Sequence, residues 1–221
     1  MITLDQIKKH PQIQAFIRAT DNFIQQWGFT EHGFRHVNLV ADISRNVARE
    51  VGFSKEDQEL CSIAAYLHDT GNFIGRTWHH YWSSLLAYPI LRELKMDPND
   101  ITVILNAITA HDKHDIKIVT KIAAVVILAD KSDVHRSRVP KADIAHLDQD
   151  IHSRVNYAVT KSFLEVDNKQ KRIILKITID TKIVPLMEYF EIFTERMEFC
   201  RTAAEYLEYK FGLVINQTEL L

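Results

Sequence analysis

Five short stretches of this 221-residue chain place a histidine or an aspartate where a helix would bury an apolar side chain. His36 shares a stripe with Val40, Ile43 and Val47, and His68 one with Leu60 and Ala64. His79 leads to Leu86 and Ile90, His111 ends a run of Ile101, Ile104 and Ile108, and Asp130 closes one begun by Ile122 and Val126. Steps of three or four residues put side chains on one helical face, so each polar group is expected to point inward. Asp69 directly follows His68, which brings the set to four imidazoles and two carboxylates. A buried carboxylate is costly unless it is paired, neutralised or bound to metal. A single inward histidine is more often a hydrogen-bonded core residue than a ligand. The coincidence in five separate helices is what points to a cation.

Composition removes several other classes. Lys+Arg 27 against Asp+Glu 29 gives a formal charge of -2, with no global reason to expect a polyanion, so nucleic acid is not favoured as a partner. The two cysteines, Cys61 and Cys200, each lie in an apolar helical pattern and read as buried free thiols of a reducing compartment. Residues 1–10 lack the apolar core of a signal peptide. The longest apolar run, residues 122–129, falls well short of the about 20 residues that span a bilayer. The expectation is a cytoplasmic protein with no membrane partner.

Helices are expected over about residues 11–27 and 34–51, stopped by Gly28 and Gly52, and over 54–68, where Ser54 is an N-cap with Asp57 in the first turn. A loop at 71–76 leads to helices at about 77–94, with a kink expected at Pro89, then 97–112 and 118–136. Beyond Pro140 the pattern changes. Residues 159–166 and 172–180 have strand character around a polar hairpin loop at 167–170. A long helix is expected from Pro185 to a stop at Gly212, with a short third strand at 213–215. Its apolar stripe, from Ile183 to Phe211, would suit a coiled-coil seam, although packing on the hairpin and the helical domain is favoured. The expected fold is mainly α: a helical metal-binding domain over 1–140 and a small α+β appendage over 141–221, built from a β-hairpin and a long helix.

The ordered series His36, His68-Asp69, His111, Asp130, in the contexts His36-Val37-Asn38-Leu39, Leu67-His68-Asp69-Thr70-Gly71-Asn72, Thr109-Ala110-His111 and Ala129-Asp130-Lys131, resembles the HD-domain superfamily of metal-dependent phosphohydrolases. Residues 129–139 and 154–157 further resemble a group of uncharacterised bacterial HD proteins with a similar C-terminal extension. The resemblance implies that His36, His68, Asp69 and Asp130 hold one divalent ion. His79 and His111 would supply a second, with Asp69 bridging. It favours His79 over His80 because the family's intermediate histidine is followed four residues later by a small residue, here Ser83, although Ser84 stands in the same relation to His80. Asp112 stands where some two-metal members have a second consecutive histidine. Mixed imidazole and carboxylate donors suit Mn, Fe, Co, Ni or Zn better than Ca or Mg, with one or two ions bound.

The implied activity is hydrolysis of a phosphoester, of a nucleotide or related small molecule, by metal-activated water. The expected catalytic residues are Asp69, Arg76 and Lys131. Arg35, Arg76, Lys113, Lys131, Arg136 and Arg138 are near the ligands in sequence and are the candidates for binding the anionic substrate. Each of them is also readable as a solvated charge or an ion-pair partner. Two other readings stand beside the hydrolase: an HD-type diiron oxygenase, and a regulatory module that binds metal and nucleotide without turnover. His32 lies one turn before His36 and could face the cleft, whereas His10, His146 and His152 have no comparable context. The aromatic-rich last helix makes a homodimer plausible.

Overall fold

The computed structural model describes residues 2–112 and 117–220. Seven α-helices come first: α1 (Leu4–Lys9), α2 (Pro11–Gln26), α3 (Phe34–Glu50), α4 (Lys55–Leu67), α5 (His79–Glu93), α6 (Pro98–Ala110) and α7 (Lys121–Ser132). Short 3-10 segments at Arg136–Arg138 and Lys141–Gln149 lead to α8 (Ile151–Ala158), β1 (Val159–Asp167), β2 (Arg172–Ile179), α9 (Leu186–Tyr206), β3 (Lys210–Ile215) and β4 (Thr218–Glu219). The fold is mainly α with a small α+β appendage, as expected. No helix among the described residues is long and apolar enough to cross a membrane.

Helix α7 is the piece around which the others are arranged. It is apolar on every side, and a helix of that kind must be covered on every side. All residues from Ile122 to Ser132 are buried. Ile122, Ala123, Val125, Val126 and Ala129 join a core built with α1 to α6, while Ala124, Ile127 and Leu128 join a second core with α8, α9 and the sheet. The helix is shorter than the expected 118–136. Thr120 starts it by accepting from the Ala123 N–H at 3.1 Å, and Asp133 leaves helical geometry with φ -78° and ψ 78°.

The sheet has the order β1-β2-β3-β4, with β1–β2 and β3–β4 antiparallel and β2–β3 parallel. Ile173, Leu175, Ile177 and Ile179 of β2 are buried at alternate positions, as the hairpin pattern requires. A parallel pair needs a crossover, and α9 supplies it, packed on α7 and the sheet. The expected stop at Gly212 is wrong. The helix ends at Tyr206, where Glu208 takes a left-handed φ of 64°, its N–H bonds Glu205 O at 2.9 Å and the Tyr209 N–H bonds Ala204 O at 2.9 Å. That is a Schellman ending built without glycine, and it frees Phe211 and Gly212 for β3. Helices α1 and α8 were also not expected, and α5 continues through Pro89.

The second core has a testable consequence for the appendage. Ala124, Ile127, Leu128 and Val134 are completely buried against residues of α8, α9 and the strands. A chain ending at residue 140 exposes them, and should bind a hydrophobic dye and become insoluble or metal-poor. A soluble, fully metallated 1–140 fragment would instead make the appendage an independent module.

Candidate metal centre

The six sequence-nominated donors sit at helix ends that converge. His36 is in the first turn of α3, where Glu31 Oε1 accepts from the Gly33 N–H at 2.7 Å and the His36 N–H at 3.4 Å. His68 and Asp69 follow the last turn of α4, and the Thr70 hydroxyl bends the chain by donating to Leu67 O at 2.8 Å. Gly71 is then pressed on α5 so closely that a Cβ there would lie 2.4 Å from Ser83 N. Its N–H donates to Ser83 Oγ at 2.8 Å, four positions after His79. His79 opens α5, His111 caps α6, and Asp130 lies in the last turn of α7. All six are buried.

The two carboxylate oxygens of Asp69 face different histidine pairs. Oδ2 lies 3.5 Å from His36 Nε2 and 3.3 Å from His68 Nε2, and Asp130 Oδ1 lies 3.4 and 3.6 Å from the same nitrogens. Oδ1 lies 3.3 Å from His79 Nε2 and 3.7 Å from His111 Nε2. Asp112 Oδ2 stands 3.7 Å from His79 Nε2 on the outer side. Among the described residues three close donor groups result: His36, His68 and Asp130; His68, Asp69 and His111; and His79, His80 and Asp112. His80 therefore adjoins the second pair, but the nitrogen facing Asp69 is that of His79.

The partners of the other ring nitrogens decide what these atoms can do. Nδ1 of His68, His79 and His111 lies 2.6, 2.9 and 2.6 Å from the carbonyl oxygens of Ala65, Arg76 and Ile108, and His36 Nδ1 lies 2.6 Å from Asp133 Oδ2. Those oxygens only accept, so each Nδ1 donates and Nε2 is the atom turned inward, its lone pair open to a metal when the ring is neutral. The inward nitrogens are 3.2 Å apart in the His36–His68 pair and 3.1 Å apart in the His79–His111 pair. Two ring nitrogens at that distance need a positive charge between them, a shared proton or a metal ion. Nitrogens sharing an ion at about 2.0–2.1 Å stand roughly 2.9–3.4 Å apart, so the donor set fits a transition-metal ion. A ligand histidine anchored through its other nitrogen is the usual supporting arrangement.

The electrostatics agree. Burial alone would push the His68 imidazole down, but the Asp69 and Asp130 carboxylates outweigh it and raise its pKa to about 10. Burial would raise Asp69 and Asp130, yet His68 beside the first and Lys131 beside the second hold both well below the carboxylate range. His111 stays well below its ordinary value through burial and the charges of His68 and His79. The two carboxylates thus hold a proton on His68 that a bound cation would replace.

The candidate cations divide by position. Arg76 Nη1 donates to Asn72 Oδ1 at 2.9 Å and stands 4.0 Å from Asp69 Oδ1; Asn72 Nδ2 in turn donates to that same Asp69 oxygen at 2.8 Å. Lys131 Nζ, buried, lies 2.8 Å from Asp112 Oδ1 and 2.9 Å from Asp130 Oδ2. Arg76, Lys131 and Arg138 line a pocket of about 580 Å³ beside the donors. Arg138 is fully buried, donating to Asp133 O at 2.8 Å and to His32 Nε2 at 3.0 Å, and His32 also lines the pocket. Arg35 is elsewhere, 2.7 Å from both Glu31 and Asp133, behind His36. Arg136 lies over the Tyr157 ring at 5.3 Å and is not among the lining residues. Lys113 lies outside the described residues. Sequence reasoning missed Asp133, Asn72 and the whole far wall of the pocket, to which α8 and α9 contribute His152, Asn156, Phe193, Arg196 and Phe199.

The HD domain family model matches residues 33–135. That span runs from the N-cap of α3 to just beyond Asp133 and holds all six donors. Residues 33–135 are an HD domain. HD domains are in general metal-dependent phosphohydrolases. An uncharacterised protein of Methanocaldococcus jannaschii is similar, 28% identical over 173 residues, which cover 67% of this chain and 65% of the relative. The chain thus spans just under two thirds of the length of the relative it matches. Within the HD domain, Asp69→Ala removes the one carboxylate that faces both histidine pairs. It is expected to abolish most metal binding, measured on chelator-free protein, with little change in helical circular dichroism. Full metal occupancy in that variant would refute the site.

Proposed function

We propose that this HD domain hydrolyses a phosphoester of a small molecule, with nucleotides among the candidate substrates. The observation that carries this reading is Asp69, whose two oxygens address two histidine pairs beside a pocket lined by Arg76 and Lys131. His36, His68, Asp69 and Asp130 would hold one divalent ion and His79 and His111, with Asp69, a second. Such ions polarise phosphoryl oxygens and lower the pKa of bound water from 15.7 to about 7. The chain's own residues do the rest. Asn72 fixes the orientation of Asp69 by donating to Oδ1. Asp133 fixes the His36 ring through Nδ1, and Arg35 and Arg138 hold Asp133 in turn. Arg76 and Lys131 offset the negative charge that develops on the phosphoryl oxygens.

The test is metal analysis of protein purified without chelator, followed on the same sample by a phosphoester panel with and without added Mn. Metal-dependent release of phosphate or of a phosphorylated product is expected. Iron together with oxygen-dependent turnover would favour the diiron oxygenase, and tight nucleotide binding without product would favour a regulatory module. His79→Ala separates the two ions. Bound metal should fall toward half, and hydrolysis should fall much further, a loss of several kcal/mol in order of magnitude. His80→Ala should leave both unchanged. A wild type that binds one ion, with His79→Ala fully active, would reduce the centre to a single metal.

A further inference from the structure

The pocket has a metal side and an appendage side, and the second is chemically specific. On the metal side Arg76 and Lys131 are already engaged, Arg76 by Asn72 and Lys131 by two carboxylates. On the other side α9 presents Arg196, half-buried, its guanidinium 5.0 Å from the Phe193 ring centre. Among the described residues no carboxylate lies within ion-pair distance of Arg196, and its charge opposes those of Lys131 and Arg138. The lining sets Arg76, Lys131, Arg138 and Arg196 against the carboxylates of Asp112, Asp150 and Glu195, of which Asp112 is held by Lys131 and Asp150 by the Ser153 N–H. The cations outnumber the acids, and a guanidinium supported on a ring face keeps its N–H fork for an anion.

A second observation comes from α8. Asn156 lines the same pocket and is 4% exposed. Its Nδ2 donates to His152 O at 2.8 Å, and because a carbonyl only accepts, that contact fixes the amide's orientation. Oδ1 has no donor among the described residues. A buried acceptor left without a partner is an unfavourable arrangement that a ligand N–H or O–H would relieve. Across the pocket, the turn after α2 presents Trp27 and Phe29, 62% and 38% exposed.

We propose that the appendage completes the substrate site: Arg196 binds an anionic oxygen of the phosphoester, Asn156 Oδ1 accepts from an N–H or O–H of its organic part, and Trp27 and Phe29 take a flat ring. The substrate class is a phosphate ester of a compact ring alcohol that carries a hydrogen-bond donor, a size the pocket of about 580 Å³ admits. This rests on the site being a phosphoesterase. The test therefore reads binding separately from turnover.

Phenyl phosphate and ethyl phosphate, equal in charge, are titrated calorimetrically into metal-loaded full-length protein and assayed for hydrolysis. Arg196→Ala should weaken both roughly 10- to 100-fold, the range expected for one charge-assisted contact, with metal content unchanged and partial recovery in Arg196→Lys. Trp27→Ala combined with Phe29→Ala should weaken phenyl phosphate and spare ethyl phosphate. Asn156→Ala should abolish any preference for 3-aminophenyl phosphate over phenyl phosphate. Wild-type affinity for both esters in a fully metallated Arg196→Ala protein overturns the proposal, as does an undiminished preference for phenyl phosphate in the double variant. Should the wild type bind both esters and hydrolyse neither, the hydrolase reading fails, and the affinities of the variants still decide the role of Arg196.

Discussion

Four imidazole Nε2 atoms, turned inward and held about 3 Å from one another in pairs, are the constraint on which the rest of this protein depends. Each is fixed in that state by an acceptor on the far side of its ring, a backbone carbonyl for three of them and Asp133 for the fourth. A carbonyl at a helix end is a natural acceptor, since the last turn of a helix leaves its carbonyls unpaired. Ala65 and Ile108 serve in that way for α4 and α6. The convergence of helix ends thus both delivers the histidines and sets which nitrogen of each ring faces inward.

Around that centre lies a shell of buried charge that would be costly in any other setting. Lys131, Asp133 and Arg138 are each no more than 4% exposed. Every one is matched: Lys131 by Asp130 and Asp112, and Asp133 by His36, Arg35 and Arg138. Buried ion networks of this kind contribute little net stability, and removing one member is far worse than removing all. Their use here is positional. Arg35, on the outer face of α3, acts on His36 only through Asp133, although its sequence position suggested a direct hold on substrate.

The donors were legible because each interrupts an apolar stripe, a local signal that survives without knowledge of the fold. The hairpin was legible for the same reason, through its period of two. Asp133 was not, since its partner His36 is 97 residues away and nothing local distinguishes it from a surface acid. Arg196 and Asn156 were hidden more deeply, because only the packing of α8 and α9 against α7 turns them toward the pocket. The end of α9 was misplaced for a different reason. Glycine is the usual residue at such an ending, whereas here Glu208 takes the left-handed conformation.

Helix α9 is tied at both ends into adjacent parallel strands, with Ile173 opposite Phe211 and Leu175 opposite Leu213. Its length is therefore counted. One residue inserted or deleted between Leu186 and Arg196 would rotate part of the helix by about 100° and shift it about 1.5 Å along its axis. Either Arg196 would swing away from the pocket wall, or Phe193, Met197, Cys200 and Ala204 would leave the core. Related chains that keep the same chemistry should thus vary in the side chains of this helix far more freely than in its number of residues.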